Sequence, residues 1–318
     1  MRLSPAVLLA ACVLGPACSG GASGPDGGAD APVDAPTGNP LQDLGAVTRV
    51  APAMTFQFLE GPQWRQATGD WLFTDIPANQ IYRYVPGGAV TSFLTPSGNA
   101  NGLAQESGGT VLAAEHGGRR ISRITGTSVS LVAERFEGKL FNSPNDVIAA
   151  PDGTIYFTDP PYGLAGRPAE LDFNGVFRFA GGAVTAEYRG AAAARPNGIA
   201  ISPDGKTVYV AFTHNGEVLG FPVAAGGALG APTRAALTAG GADGMAVDGA
   251  GNLFVTSSNG IEVFAPGGAK WGEIKLPGSP APKPTNCAFG GPERKTLLIT
   301  TPQALFQVDV VYPGLPTR

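Results

Sequence analysis

After residue 40 the chain alternates between apolar and polar residues in short runs, which are separated by turns containing glycine. One stretch, FNSPNDVIAAPDGTIYFTDPPYG, runs from Phe141 to Gly163 and places the polar pair Asn145-Asp146 ahead of an apolar alternation. Alternation with a period of two predicts β-strands, and the Asp-Gly step supplies the positive φ that a tight turn requires. The stretch is therefore predicted to be a β-hairpin that opens with an amide beside a carboxylate.

The same sequence motif recurs along the chain: an oxygen-bearing polar residue, a small residue, an apolar alternation, a glycine turn and a β-branched or aromatic run. Its six copies are led by Glu60, Asn101, Asn145, Asn197, Asp243 and Asn286. The leading residues are 41, 44, 52, 46 and 43 positions apart, which is the period of a four-stranded propeller blade. A second strand pair separates the copies, as in QIYRYVPGGAVTSFL. The pattern predicts an all-β fold, a six-bladed β-propeller with four antiparallel strands per blade, spanning residues 41–318.

Composition supports one large β domain and argues against some partners. The 318 residues are 43% hydrophobic, enough to bury a sizeable core, and the 47 glycines and 29 prolines are typical of many turns. The formal net charge of -4 with only 14% charged residues provides no basic surface for nucleic acid. Nucleic acid is therefore excluded as an expected partner, and no sequence feature indicates an oligomeric state.

The first forty residues are predicted to be an export signal and a linker. Residues 1–17 form a lipoprotein-type signal peptide with a short apolar stretch, and residues 18–40 form a flexible linker rich in Gly, Ala, Pro and Asp. The order resembles a bacterial lipoprotein precursor, which implies a lipid on Cys18 as the only membrane attachment. Cys12 has a better lipobox but leaves a very short apolar region, and plain secretion with cleavage near Ala17 is the alternative. The protein is expected in the periplasm or at the outer membrane, or otherwise secreted.

The six leading residues predict a metal site because equivalent positions in a propeller converge on its axis. Their side chains offer carboxylate and amide oxygens, which suit a hard cation, and the acids Glu60 and Asp243 roughly balance a divalent charge. The alternative is that these residues cap strands and bond to one another in the channel. One divalent metal is predicted, with Ca²⁺ favoured and Mg²⁺, Mn²⁺ or Zn²⁺ as alternatives.

A set of motifs in fixed order gives the chain a family resemblance; the motifs are EGPQW, EHGGRRISRI, SPNDV, YFTDPPYG, RPNGIAISPDG, DGMAVD and TNCAFGG. Together they resemble the gluconolactonase branch of the SMP-30/gluconolactonase/regucalcin-like propellers over nearly the whole chain after the linker. The resemblance implies one metal, usually Ca²⁺, at the mouth of the channel and hydrolysis of a sugar lactone. The ligands it implies are Glu60, Asn197 and Asp243, with Asn145 at the metal or the substrate.

The catalytic residues are expected to be Asp243 and His116. Asp243 is the general base that the resemblance implies, although a neighbouring cation would weaken it as a base. His116 is the competing base because neutral imidazole titrates near working pH, and its alternative role is to support other site residues.

The small-molecule lactone is expected to contact polar side chains around the channel mouth. The substrate-binding residues predicted from the sequence are Asn101, Asn145, Arg120 and Tyr162. Tyr162 lies in an extra loop, which either covers the pocket or is a plain surface connection. Arg120 is alternatively a solvated strand residue.

Two other functions remain open from the sequence. One is a propeller that binds a ligand or protein without catalysis, since the fold alone does not define an activity. The other is Ca²⁺-dependent hydrolysis of phosphotriesters. The sequence has no Gly-x-Ser-x-Gly or His-Glu-x-x-His motif that would indicate a different hydrolase. Cys287 is predicted to be a buried, unreactive thiol, and Trp64, Trp71 and Trp271 are predicted to pack between blades.

Overall fold

Six four-stranded antiparallel sheets are arranged around a central channel as a six-bladed β-propeller, as the repeat predicts. The structure is a computed structural model and describes residues 38–316. The predicted signal peptide, Cys18 and the linker up to residue 37 lie outside the described residues and stay predictions.

Each blade is numbered in chain order, with its strands given from the channel outwards. Blade 1 contains β2 (Leu59–Arg65), β3 (Asp70–Asp75), β4 (Gln80–Tyr84) and β5 (Val90–Leu94); β1 (Thr48–Val50) precedes it in the chain. Blade 2 contains β6 (Ala100–Gln105), β7 (Val111–Glu115), β8 (Arg120–Thr125) and β9 (Ser128–Ala133). The short strands β10 (Arg135–Phe136) and β11 (Lys139–Leu140) form a separate hairpin.

The remaining blades follow the same order. Blade 3 contains β12 (Val147–Ala149), β13 (Ile155–Asp159), β14 (Asn174–Ala180) and β15 (Ala183–Gly190). Blade 4 contains β16 (Pro196–Ile201), β17 (Thr207–Phe212), β18 (Glu217–Pro222) and β19 (Thr233–Leu237). Blade 5 contains β20 (Met245–Val247), β21 (Leu253–Ser257), β22 (Gly260–Phe264) and β23 (Lys270–Ile274). Blade 6 contains β24 (Asn286–Gly290), β25 (Thr296–Thr300), β26 (Leu305–Asp309) and, outermost, β1.

The ring closes between blades 6 and 1 in two ways. The first strand of the chain, β1, pairs antiparallel with the last, β26, so both ends of the domain build blade 6. At the inner strands the Thr285 hydroxyl donates to the carbonyl of Leu59 at 2.7 Å, and the Leu59 amide donates to the carbonyl of Pro302 at 3.2 Å. Closure matters because a single blade has two apolar faces and buries both only between neighbours.

The core consists of the layers between adjacent blades. In β3, the run DWLFTD is buried at every position, as expected for a strand covered on both faces. In β9, SVSLVA is mostly exposed because this strand lies at the outer edge. Trp64 and Trp71 pack edge to face at 5.1 Å beside blade 6, and Cys287 is a buried free thiol, as predicted.

Three features depart from the plain repeat. Trp271 does not pack between blades: it lies on the outer strand β23, half exposed, with its indole N–H donating to Asn252 at 2.9 Å, so that prediction is wrong. The hairpin β10–β11 was not predicted. The connection from β13 to β14 is long and contains a short 3₁₀ helix at Tyr162–Leu164. Among residues 38–316, no helix is long and apolar enough to cross a membrane.

Candidate functional site

A cavity of about 310 Å³ lies at one end of the central channel, where the inner strands begin. Its lining combines buried polar side chains with a few apolar ones; the lining residues are Phe58, Glu60, Ile76, Asn101, His116, Asn145, Tyr162, Asn197, Thr213 and Asp243. Every sequence-predicted site residue except Arg120 is in this set. Five of the six leading residues of the repeat therefore meet in one cavity.

Local irregularities in strand pairing direct several of these side chains from the inner strands into the cavity. The register of β2, β6 and β16 shifts directly after Glu60, at Asn101 and at Asn197, which places a β-bulge at each leading residue. A bulge bends the strand and redirects a side chain that regular pairing would hold in the sheet. Asn145 and Asp243 need no bulge, because each precedes the first paired residue of its inner strand.

Glycines after the leading residues let neighbouring blades approach closely. Gly61 has a positive φ of 49°, and a side chain there would collide with the backbone carbonyl of Asn101 in blade 2. Gly198 likewise lies against the backbone of Asp243 in the next blade, to whose carbonyl it donates at 3.1 Å. The small residue of the repeat thus allows the polar groups of adjacent blades to lie close together.

Threonines of the second strands connect the blades behind the cavity. Thr74 donates to the carbonyl of Asn101 at 2.9 Å, and Thr158 donates to the carbonyl of Asn197 at 2.6 Å. Both threonines come from the repeated Phe-Thr-Asp end of a β-branched run. Because these buried hydroxyls donate across the blade boundary, they fix the backbone of the leading residues and so position the cavity lining.

Three carboxylates lie close together in the channel without a cationic partner. Burial, with the nearby charge of Asp146, raises the pKa of Asp243 to about 7. Burial likewise raises the pKa of Asp146 to about 7, although backbone amides oppose the rise. Burial and the charges of Asp243 and Asp146 raise the pKa of Glu60 well above its usual value. The three groups therefore form a region of uncompensated negative charge once they ionise.

His116 is buried and accepts hydrogen bonds from two amides. Its Nε2 lies 3.1 Å from Asn101 Nδ2 and 3.5 Å from Asn145 Nδ2. Since amide nitrogens only donate, Nε2 is the acceptor and the imidazole proton is on Nδ1. Burial, with the charge of Arg167, lowers the pKa of His116 to about 4, so the ring is neutral near pH 7. Both amides consequently keep their carbonyl oxygens available to the cavity.

The blade 3 loop reaches over the cavity and is fastened by an arginine. Arg167 donates to the carbonyls of His116 at 2.9 Å and Gly117 at 2.8 Å, and also to those of Gly163 at 2.7 Å and Leu164 at 2.9 Å. The loop therefore connects blade 3 to the turn that carries His116.

Tyr162 brings a phenol from this loop to the cavity. Burial raises its pKa, and hydrogen bonding to Thr213 and Asn197 opposes the rise. Asn197 in turn donates to Thr213 at 3.0 Å. Tyr162, Thr213 and Asn197 thus form a polar corner on the blade 4 side of the cavity.

Asn286 and Arg120 do not reach the cavity. Asn286 pairs in regular register with Thr300, so no bulge redirects it, and its side-chain oxygen accepts the Cys287 amide at 2.8 Å. Asn286 instead borders a second cavity of about 200 Å³ further along the inner strands, together with Asp146. Arg120, predicted to bind substrate, is held on β8 by an ion pair with Glu115 at 2.8 Å.

The donor set of the first cavity fits a hard divalent cation. Among residues 38–316, no group of three or more His, Cys, Asp or Glu side chains is arranged to hold a metal ion. The cavity offers the oxygens of two carboxylates, Glu60 and Asp243, and of the amides Asn145 and Asn197, while the Nε2 of His116 is engaged by two amides. Buried carboxylates without a cationic partner are costly, and a cation would compensate them. This observation supports the predicted ligand type and favours Ca²⁺ or Mg²⁺ over Zn²⁺.

Sequence reasoning missed several residues that shape the site. Asp146 was visible as the second member of the polar pair, but its place in the channel depends on neighbouring blades. Thr213, Phe58 and Ile76 lie outside the repeat's leading positions, and no sequence pattern predicts that they line the site. No pattern predicts the role of Arg167 either, because its partners are backbone carbonyls.

Comparisons with known proteins identify similar chains. The model of the family described as SMP-30/Gluconolactonase/LRE-like region matches residues 58–303. A gluconolactonase of Zymomonas mobilis subsp. mobilis is 34% identical over 287 residues, which cover 80% of this chain and 79% of that protein.

Solved structures show the same architecture. XC5397 from Xanthomonas campestris, described as a gluconolactonase, has a TM-score of 0.74 and 30% identity, covering 86% of this chain and 97% of that one. A regucalcin of Agrobacterium tumefaciens, described as a calcium-binding protein, has a TM-score of 0.70 and 23% identity, covering 86% of this chain and 98% of that one. The second likeness concerns the fold alone.

Proposed function

The chain belongs to the SMP-30/gluconolactonase/LRE-like family, and on this premise we propose that it is a lactonase that hydrolyses sugar lactones with the help of a divalent cation. The reaction takes place in the cavity that contains Glu60 and Asp243. The observation that carries the proposal is the meeting of these two carboxylates with three amides from different blades. A concave, mostly preformed cavity with few converging polar groups is the usual form of a small-molecule site.

Glu60, Asn145, Asn197 and Asp243 would hold the cation. When bound, the cation supplies a Lewis acid that polarises the lactone carbonyl and stabilises negative charge on its oxygen. The carboxylates supply the compensating charge, and the amide oxygens complete an all-oxygen set. Ca²⁺ is the ion that we assign on this chemistry.

We assign to Asp243 the removal of a proton from the attacking water. Water adds its oxygen to the carbonyl carbon, Asp243 accepts one proton, and the ring C–O bond then breaks. The same proton returns to the ring oxygen, which becomes a hydroxyl, so the product is the open hydroxy acid and Asp243 is regenerated. Burial, with the charge of Asp146, raises the pKa of Asp243 to about 7 in the cation-free protein, whereas a bound cation lowers that pKa and the basicity of the carboxylate with it.

His116 is better suited to orientation than to proton transfer. Its Nε2 lone pair already accepts Asn101 and Asn145, and its pKa of about 4 makes it a weak base. We therefore assign proton transfer to Asp243 and the orientation of both amides to His116.

The substrate would lie between the amides and the loop of blade 3. Asn101 and Asn145 supply polar groups for carbonyl or hydroxyl recognition, and Tyr162 adds a phenol from above. Phe58 and Ile76 form an apolar wall against which a sugar ring can pack.

The test of the proposal is metal-dependent hydrolysis of D-glucono-1,5-lactone, measured as acid release above the uncatalysed rate. We expect chelator to abolish activity and Ca²⁺ to restore it. We expect Asp243→Asn and Glu60→Gln to lower turnover by about 10²- to 10⁴-fold, the contribution typical of a positioned acid or base, and to weaken Ca²⁺ binding.

The control is Asp152→Asn at the tip of the β12–β13 turn, where Asp152 accepts the Thr154 amide at 2.9 Å, because asparagine preserves that turn. Circular dichroism should show all variants folded. Unchanged Ca²⁺ affinity in both site variants would contradict the ligand assignment. A folded, metal-loaded protein without lactone turnover would instead favour a binding propeller, and turnover of phosphotriesters alone would favour a phosphotriesterase.

A further inference from the structure

A side cavity of about 280 Å³ adjoins the proposed catalytic cavity on the blade 5 and blade 6 side. The two cavities share the lining residues Phe58 and Asp243, so a ligand bound at Asp243 lies next to both. The other residues that line the side cavity are Gly241, Ser257, Ser258, Lys283, Pro284, Thr285 and Pro302.

The hydroxyl groups of the side cavity are already engaged by the protein. Ser257 donates to Glu262 at 2.7 Å, and Ser258 donates to the carbonyl of Gly240 at 3.2 Å. Thr285 donates to a backbone carbonyl at 2.7 Å. These groups hold the walls in place and leave little hydrogen-bonding capacity for a ligand.

Lys283 is different because it is an exposed lysine whose ammonium is not taken up by another protein group in the described part of the chain. Within residues 38–316 its side chain forms no ion pair and no hydrogen bond, and it is the one cationic side chain lining either cavity. It lies between Pro282 and Pro284, and a residue before proline is restricted to extended conformations. The backbone that carries Lys283 is thereby stiffened, which lowers the entropic cost of using it for binding.

The charges around the two cavities favour an anion near Lys283. Asp243 lines both cavities and, with Glu60, is compensated by the cation in the loaded site, whereas Asp146 stays uncompensated in the channel. Lys283 is therefore the charge that attracts an anionic substituent to the side cavity. A substrate could place its lactone carbonyl at Asp243 in the first cavity and an anionic group at its far end beside Lys283 in the side cavity.

We propose that the side cavity is a subsite for a carboxylate or phosphate substituent on the lactone, with Lys283 as the residue that selects it. The inference rests on the proposed lactonase function and adds the substrate class: a sugar lactone with an anionic end. The carboxylate would mark a lactone of a sugar diacid, and the phosphate a phosphorylated sugar lactone.

The experiment compares neutral and anionic lactones in matched pairs. One pair is D-glucono-1,4-lactone with D-glucaro-1,4-lactone, in which a carboxylate replaces the terminal CH₂OH. The other is D-glucono-1,5-lactone with its 6-phosphate. The readout is the ratio of kcat/KM for the anionic lactone to that for its neutral partner, and the pair with the larger ratio identifies the anion.

We expect Lys283→Ala to lower this ratio about 10-fold and Lys283→Glu to lower it further, while Lys283→Arg keeps most of it, since arginine retains the charge. Raising the salt concentration should reduce the ratio of the natural protein but not that of Lys283→Ala, because screening acts on the ammonium. The matched control is Lys275→Ala, an exposed lysine on the same connection that pairs with Glu273 at 3.0 Å outside both cavities.

The outcomes separate this inference from the proposed function. A ratio that Lys283→Ala and Lys275→Ala leave equally unchanged overturns the role of Lys283 but leaves lactone hydrolysis standing. Hydrolysis of neutral lactones without any turnover of the anionic ones also overturns it. If neither kind is hydrolysed by the folded, Ca²⁺-loaded protein, the proposed function itself fails, and the subsite with it.

Discussion

Two adjacent residues at the head of blade 3, Asn145 and Asp146, line different cavities of the channel. Asn145 lines the proposed catalytic cavity, whereas Asp146 borders the second cavity with Asn286. Successive side chains of extended backbone point in opposite directions, so one step in the sequence changes the space that a side chain faces. The amide–carboxylate pair that opens this hairpin therefore supplies a site residue and, beside it, part of the channel's negative charge.

Substitution of His116 tests whether this residue orients amides or transfers protons. In His116→Ala the amides of Asn101 and Asn145 lose their acceptor, and we expect turnover to fall about 10- to 100-fold, as for other residues that orient site groups. The acid limb of the pH–rate profile should stay in place, because an imidazole with a pKa of about 4 does not titrate in the working range.

His116→Gln provides the matched comparison, since its side-chain oxygen can accept an amide proton but glutamine is no base. Partial recovery of turnover in His116→Gln supports orientation. Loss of the acid limb in both variants would instead make His116 the general base and displace Asp243.

At the level of elements, the sequence predicts the hairpins but not the bulges that aim the site. The repeat places Glu60, Asn101 and Asn286 in equivalent positions, and alternation alone gives no reason to separate them. In the structure Glu60 and Asn101 lie at register shifts, while Asn286 pairs regularly and borders the second cavity instead. A register shift depends on how blades pack, so a pattern within one strand does not reveal it.

The loop of blade 3 offers a prediction at this scale. Arg167 forms four hydrogen bonds to backbone carbonyls, two of them on the turn that carries His116, and thereby holds Tyr162 over the cavity. In Arg167→Ala we expect the loop to open, which raises KM by about 10-fold with a smaller change in kcat and increases cleavage in residues 160–173 during limited proteolysis.

Arg234→Ala is the control, because Arg234 is an exposed arginine on β19 that pairs with Glu217 at 3.4 Å. Arg167→Lys should give an intermediate KM, since lysine keeps the charge but cannot reach four carbonyls. Unchanged proteolysis and KM in Arg167→Ala would show that the loop is held by its other contacts.

At the level of the whole molecule, the period of the repeat is sufficient to predict six blades and one ring. It is insufficient to predict the pairing that completes blade 6, because β1 has three residues, TRV, and no repeat signature. The β10–β11 hairpin is equally short. The same holds for the candidate site: the repeat predicts five of its residues, but tertiary packing determines which side chains share the cavity.

The buried carboxylates make the stability of the whole ring depend on pH and on cation. Aspartate and glutamate titrate near 4 in an unfolded chain, whereas burial raises the pKa of Asp243 and Asp146 to about 7 in the folded protein. Between these values the folded state binds more protons than the unfolded state, so the contribution of these groups to stability falls as the pH rises from about 4 to about 7. A cation binds the ionised carboxylates and offsets this loss. We therefore expect the increase in Tm caused by Ca²⁺ to be larger at pH 8 than at pH 5.

Thermal unfolding at both pH values, with Ca²⁺ and with chelator, measures this effect. Asp243→Asn removes one of the titrating groups and should make the Ca²⁺-induced shift small at either pH, whereas Asp152→Asn should behave as the natural protein. An equal shift at pH 5 and pH 8 would contradict the coupling of these carboxylates to the cation.

The pairing of β1 with β26 also has a consequence for how the ring is made. Blades 1 to 5 are each contiguous in sequence, so each can form as soon as its strands are synthesised. Blade 6 needs the last strands of the chain, so β1 pairs with β26 only after nearly the whole polypeptide has been synthesised. Until then the apolar face of the blade at each end of the incomplete ring lacks a neighbouring blade, and it can associate with other chains. Because β1 and β26 lie side by side, a circularly permuted chain that begins between β5 and β6 would keep every strand pairing. Its ring would then close at the boundary between blades 1 and 2.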